Sequence, residues 1–284
     1  MLFSHTTPII KEAEECDLGI NGTLNILRRL SLEEFGYVLL SMPDPKYPRL
    51  SSVLPKMASS EIQQKWTGSS GPTLLKQSVS FVRQAETAFI RFTGRPLAGA
   101  SILDFGCGYG RLLRLMYYFN DPDALWGVDA WQKSVDICIS DNLPGNFRVS
   151  ATRPQDGLPI NGTKFDLVYA FSIFTHLAEP TAKAALSGIR KCIKPDGLLI
   201  LTVRPREFWA FFDKQRKTDD ADQRASQHDQ TGFSYVPHGG AEGNDYGDAS
   251  ISMDYLKRLP DWQFAGYEFS STDSYQIPVI LRPD

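Results

Sequence analysis

The chain has 284 residues, 42% hydrophobic and 22% charged, with a formal net charge of −3. That composition is ordinary for a soluble globular protein of one large domain, or one domain with an appendage, and its weak charge gives no bulk electrostatic reason to expect nucleic-acid binding. No apolar run approaches the roughly 20 residues of a membrane span, and Met1-Leu2-Phe3-Ser4-His5 lacks the basic start and apolar core of a signal peptide, so a cytoplasmic protein is expected.

Residues 1–71 do not alternate strand with helix. Ser31-Leu32-Glu33-Glu34 has the form of a helix start with a capping box. Pro43-Asp44-Pro45-Lys46-Tyr47-Pro48 reads as extended or turn, and Ser59–Trp66 as a second short helix. Gly68-Ser69-Ser70-Gly71 is a break. Phe35, Tyr37, Leu39, Tyr47, Leu54 and Trp66 supply enough apolar surface for the segment to pack as a cap or substrate lid on a main domain over 72–284. Pro72–Gly94 reads as a long helix, because Leu75, Val79, Val82, Ala85 and Phe89 recur at three- and four-residue steps.

Ser101–Phe105 is a short apolar strand, followed by Gly106, Gly108 and Gly110 and then by a Leu-rich helix over Arg111–Phe119. A strand, a glycine turn and a helix place a helix start at the carboxyl end of a strand, where parallel α/β sheets bind ligands. The dinucleotide fingerprint G-x-G-x-x-G does not fit, since the third glycine comes one residue early and Arg111 takes its place. Asp104, two positions before the first glycine, would repel a pyrophosphate but suit an ammonium or sulfonium ligand.

A second strand, Ala124–Asp129, ends in a carboxylate about 20 residues past the turn, where nucleotide folds place the acid that accepts ribose hydroxyls. Trp131–Ile139 reads as a helix and Phe147–Ser150 as a short third strand. Lys164–Ser172 is a buried strand, Pro180–Lys194 a helix, Pro195-Asp196-Gly197 a tight turn and Leu198–Val203 the fifth strand. The alternation predicts a doubly wound α/β fold, a mostly parallel sheet with helices on both faces. An insertion over about 205–250 follows. Asp213–Gln230 is polar and reads as an exposed helix or mobile loop. Thr231–Asp248 is glycine-rich, without regular periodicity. Ser252–Arg258 is a helix, and Trp262–Phe269 and Gln276–Leu281 are two final strands joined by a hairpin over Ser270–Ser274. The four cysteines, Cys16, Cys107, Cys138 and Cys192, form no C-x-x-C pair, so reduced thiols and no structural zinc are expected.

Four stretches in this order resemble the class I S-adenosylmethionine (SAM) methyltransferases. Leu103–Arg111 looks like motif I, Gly127-Val128-Asp129 like the second-strand acid motif, Phe165–Leu177 like motif IV and its following turn, and Lys194–Leu199 like the turn before the fifth strand. The resemblance spans roughly 100–284. It implies a seven-stranded sheet ending in an antiparallel hairpin, with SAM as cofactor. It implies that Gly106, Gly108 and Gly110 line the methionine and ribose part, that Asp104 faces the ammonium group, that Asp129 binds the ribose hydroxyls, and that Phe171 and Ser172 end the fourth strand beside the ligands. The adenine contact stays open, with Asp156 and Trp131 as candidates, and Arg83 or Arg111 would meet the cofactor's carboxylate.

Methyl transfer to a hydroxyl needs a general base near neutral pKa, which suits histidine. Of the four histidines, His176 follows the fourth strand and ranks first, and His238 in Val236-Pro237-His238-Gly239-Gly240 ranks second; His5 and His228 lie in other settings. Motif IV lacks the Asn-Pro-Pro-Tyr or Asp-Pro-Pro-Tyr run of amino methylation, and no second acidic pair follows the fourth strand, so no metal is expected. The flanks around Trp66–Gly71 and Gly232–Gly240 look similar to methyltransferases of bacterial surface-glycan assembly, which favours O-methylation of a sugar or another small hydroxylated molecule. The alternatives are a SAM-binding scaffold without turnover and an NAD-dependent oxidoreductase.

Overall fold

The computed structural model describes residues 2–239, 243–270 and 272–284. Gly240, at the end of the glycine-rich run, and Ser271, in the expected hairpin turn, lie outside the described residues. The chain divides into two compact units, Met1–Val149 and Ser150–Asp284.

The first unit opens with helices α1 (Thr7–Glu15), α2 (Gly19–Leu27), α3 (Leu32–Leu40), α4 (Pro48–Val53) and α5 (Ser60–Thr67). The capping box at α3 is present: Glu34 N donates to Ser31 Oγ at 3.3 Å, and Ser31 N donates to Glu34 Oε2 at 3.0 Å. Helix α6 (Gly71–Thr93) buries Leu75, Val79, Val82, Ala85 and Phe89, the stripe read from the sequence, and ends at Gly94 in the left-handed region. Each large apolar side chain so buried contributes about 1.5–3 kcal/mol relative to exposure. Strand β1 (Ile102–Phe105), helix α7 (Arg111–Met116), β2 (Leu125–Asp129), α8 (Gln132–Ser140) and β3 (Asn146–Val149) complete the unit. β1 and β2 pair in parallel with Asp104 opposite Gly127, and β2 pairs with β3 in parallel with Asp129 opposite Val149.

The second unit holds β4 (Phe165–Ala170), α9 (Glu179–Arg190), β5 (Ile193–Val203), α10 (Phe208–Arg216), α11 (Ala221–Thr231), β6 (Phe233–Pro237), β7 (Gly247–Ile251), α12 (Met253–Lys257), β8 (Trp262–Tyr267) and β9 (Ile277–Pro283). The strand order is β3-β2-β1 in the first unit and β4-β5-β9-β8 in the second, with β9 antiparallel to both β5 and β8. These seven strands are mostly parallel, as the alternation predicts, with the antiparallel end that the resemblance implies.

Two expectations need correction. Pro195-Asp196-Gly197 does not precede the fifth strand but lies inside β5. The pairing runs Phe165 with Ile193 and then Leu167 with Leu198, so β5 carries the extra residues as an irregularity rather than a separate turn. The insertion is also more regular than its composition suggests. α10 and α11 occupy the polar stretch, and β6 and β7 pair antiparallel from Phe233–Ile251 to Pro237–Gly247. Proline and glycine at the strand ends hide the alternation of β6. β7 is Gly-Asp-Ala-Ser-Ile, buried along its length, and its polar members are satisfied by side chains elsewhere. A buried strand of small polar residues carries no hydrophobic signature. α10 anchors the region by burying Phe208, Trp209 and Phe212, and Arg224 of α11 lies 4.9 Å from the Phe212 ring centre.

Candidate functional site

Gly106, Gly108 and Gly110 all have positive φ, at 78°, 53° and 74°. The turn needs them where a side chain has no room: a Cβ on Gly110 would lie 2.2 Å from Leu143 Cδ2. Three of the turn's amide protons are consumed in backbone bonds. Gly106 N and Cys107 N donate to Val128 O at 2.8 and 3.0 Å, and Gly110 N donates to Cys107 O at 2.8 Å. A phosphate-binding turn instead aims such amides at its ligand. Two of these bonds tie the turn to β2, so those two amides are not aimed at a ligand.

The acid at the end of β2 closes this arrangement. Gly108 N donates to Asp129 Oδ2 and Trp131 N to Asp129 Oδ1, each at 2.9 Å. Burial pushes the Asp129 pKa up, against the pull of those two amides. Each carboxylate oxygen accepts one amide and, having a second lone pair, suits a ligand hydroxyl as well. Cys138 Sγ donates to the Gly108 carbonyl at 3.4 Å, holding the peptide from its other side. Cys107 is buried, and its contact with the Cys138 thiol, with burial, drives its pKa well up, so it stays a thiol. Asp104 is 3% exposed, on β1 one residue before its end. Of the two arginines read as carboxylate partners, Arg83 forms a two-point ion pair with Glu33 at 2.9 and 2.6 Å, whereas Arg111 donates to neutral Gln77 and Ser78, both at 2.9 Å. Asp156 is exposed in the loop after β3.

In the second unit, Phe171 follows the last residue of β4 and is half-buried. Ser172 comes next with φ 61°, a left-handed conformation that a serine adopts at a cost of about 1–3 kcal/mol. It is held there by Thr202 and Gln276: Ser172 N donates to Thr202 Oγ1 at 2.7 Å, Gln276 Nε2 donates to Ser172 Oγ at 2.8 Å, and Thr202 Oγ1 donates to Gln276 Oε1 at 2.6 Å.

This bend leads to His176, which belongs to a cluster with Arg204, His238 and Asp248. His176 Nδ1 donates to Gly247 O at 2.7 Å, so Nε2 bears the lone pair and accepts from Arg204 Nη2 at 3.1 Å. Burial first, and then the Arg204 charge, push the His176 pKa down to about 4. Asp248 is 5% exposed and accepts from Arg204 Nη1 at 2.6 Å and from His238 Nε2 at 2.8 Å. Burial alone would raise its pKa, but Arg204 and the histidines hold it below the usual carboxylate range. The two imidazoles are 6.0 Å apart, and Tyr246 stacks on His176 at 5.1 Å. Ligand atoms of His176, His238 and Asp248 converge within 4.8 Å of one another, a spacing a cation would also fit. The positive charge at this point is the Arg204 guanidinium, which also rests 4.1 Å from the Phe208 ring centre.

Arg204 and Asp248 are functional candidates the motif reading passes over. An arginine one residue beyond the fifth strand is the only local signal for the first; Asp248 has none, because β7 is invisible in the pattern. His228 sits in a polar stretch yet is 7% exposed, its Nδ1 2.8 Å from Ser250 Oγ.

A protein-family model described as a methyltransferase domain matches residues 79–265. Among curated proteins, the chain is 29% identical over 119 residues to the ubiquinone biosynthesis O-methyltransferase of Bartonella bacilliformis, covering 40% of this chain and 45% of that protein. It is 30% identical over 129 residues to the Cereibacter sphaeroides protein of the same description, covering 40% and 46%. The chain thus matches a little under half the length of these relatives. Among solved structures, the PH0226 protein of Pyrococcus horikoshii superposes with a TM-score of 0.50 at 15% identity, over 72% of this chain and 90% of that one, a likeness of fold. No helix among the described residues is long and apolar enough to cross a membrane.

Proposed function

This chain belongs to the class I SAM-dependent methyltransferase family, and from that premise we propose that it methylates a hydroxyl of a small molecule or sugar. The observation that carries the cofactor half is the closure of Gly108 N and Trp131 N on the two oxygens of Asp129. It leaves one acid, fixed in place and tied to the glycine turn, to accept ribose hydroxyls. The glycines keep Cβ atoms out of the way, and the buried Asp104 adds the negative charge that a cationic ligand calls for. When bound, SAM supplies a methyl group on a positively charged sulfur, already activated for displacement. The protein's remaining tasks are alignment and removal of the acceptor proton.

We assign that proton to His238 rather than His176. Asp248 accepts from His238 Nε2 at 2.8 Å, and the carboxylate stabilises the imidazolium that forms. His176, with Nε2 bonded to Arg204 and a pKa near 4, is a poor base at neutral pH and acts as a positioning residue for Arg204 and Asp248. Hydroxyl acceptors are favoured by the absence of an amino-methylation motif after β4 and by the O-methyltransferase description of the relatives. Residues 1–71 are the cap and 205–250 the acceptor-side insertion in this reading. Calorimetric titration with S-adenosylhomocysteine tests the cofactor half: an affinity as high in Asp129→Ala as in the wild type would overturn the Asp129 assignment.

A second reading, a SAM-binding subunit without turnover, draws on the two engaged nitrogens of His176. It predicts binding of S-adenosylhomocysteine with no methyl transfer to any hydroxylated acceptor and no effect of His238→Ala.

A further inference from the structure

The side chain that faces the open side of the middle glycine of the turn comes from the helical segment ahead of the sheet. A methyl group built on Gly108 would sit 3.8 Å from Cε3 and Cζ3 of Trp66. Trp66 lies in α5, within the same compact unit. Its indole meets Trp131 edge to face at 6.3 Å and Tyr109 at 6.0 Å. Trp131 is 44% exposed, and its own amide is one of the two that fix Asp129. Two indoles, the turn glycine and the acid at the end of β2 are therefore gathered at one place.

The position of Trp66 is set by α5 as a whole. Gln63, 4% exposed, donates from Nε2 to Ala58 O at 2.7 Å and accepts from Gly71 N at 2.9 Å, joining the segment before α5 to the start of α6. Gly68 ends α5 in the left-handed region one turn beyond Gln64. A mobile tail would not carry a buried glutamine bonded at both ends.

We propose that Trp66 is a cofactor-contacting residue: its indole, with Trp131, forms an aromatic wall against which the adenosyl group binds. This rests on the methyltransferase reading above and deepens it. Aromatic faces stack on a purine, and SAM and S-adenosylhomocysteine both carry one. The assignment makes α5 part of the cofactor site, with Gln63 as the residue that positions it.

The test uses the full chain and S-adenosylhomocysteine, which binds without turnover. Trp66→Ala is expected to weaken binding about tenfold by calorimetry, and Trp66→Phe to stay within about threefold of wild type. Intrinsic fluorescence gives a second readout: the signal change at saturation should fall by at least half in Trp66→Phe. If Trp66 only packs, Trp66→Ala lowers the melting temperature and leaves affinity intact, which overturns the proposal. A fluorescence change of wild-type size in Trp66→Phe overturns it as well, and carries the test if Trp66→Ala does not fold. A wild-type chain that fails to bind S-adenosylhomocysteine breaks the underlying cofactor assignment; wild-type binding with no effect at Trp66 breaks only this inference.

Discussion

The turn over Gly106–Gly110 is built almost wholly from backbone, whereas the cluster of His176, Arg204, His238 and Asp248 is built from side chains. In the turn, three glycines in the left-handed region and four internally bonded amides define the shape, and Asp129 is the one titratable group closing it. In the cluster, a single buried carboxylate serves an arginine and a histidine, and burial, with that arginine, deprives a second histidine of its basicity. The first design tolerates change outside the turn but not a Cβ inside it. The second depends on each partner's charge, so a single substitution reaches every member.

The largest effect expected from that difference is at His238. His238→Ala should lower turnover by about 10²–10⁴-fold while leaving S-adenosylhomocysteine affinity unchanged; steady-state kinetics beside calorimetry separates the two. A loss of that size at His176 with none at His238 would reverse the assignment of the base. Gly110→Ala strikes the backbone design. The left-handed penalty and the crowding against Leu143 should together destabilise the chain by about 2–4 kcal/mol in urea unfolding. A neutral outcome would show that the turn relaxes more readily than its amide pattern implies.

Asp129→Ala should weaken S-adenosylhomocysteine binding by about 1.5–3 kcal/mol, the worth of hydrogen bonds to a charged group. The smallest effect is in pH dependence. His176 titrates near 4 in the folded chain, below the 6.5 of an unperturbed histidine, so the unfolded state binds the extra proton in between. Stability is therefore full above about pH 6.5 and falls as pH drops toward 4, with a slope of up to about 1.4 kcal/mol per pH unit. His176→Gln should flatten that part of the curve in chemical denaturation at stepped pH. An unchanged slope would move the effect to another group, such as His228, which burial also shifts down.

These two regions were unequally legible. The glycine turn is read within a dozen residues, and the acid at 129 stands at a fixed step beyond it, because one strand–turn–helix unit sets both. The α6 stripe and the buried β4 run were equally plain, since each repeats with the period of its element. The cluster has no such period. His176 and His238 were singled out by residue type, but the order in which we propose them as bases rests on burial and on Arg204, which the motif pattern does not mark. The polar insertion hid β7, since Asp248 and Ser250 are buried through partners rather than through hydrophobicity.

What the amino-acid order determined alone is the alternation of strand and helix, the left-handed glycines and the Asp129 step. Each depends on backbone sterics or on apolar burial acting over a few residues. Only the tertiary structure decided that Gly247 meets His176 across 71 positions, that Asp248 meets Arg204 across 44, and that Trp66 lies over Gly108. Such contacts are chosen by how elements pack, and packing brings together residues whose spacing in the chain follows no rule.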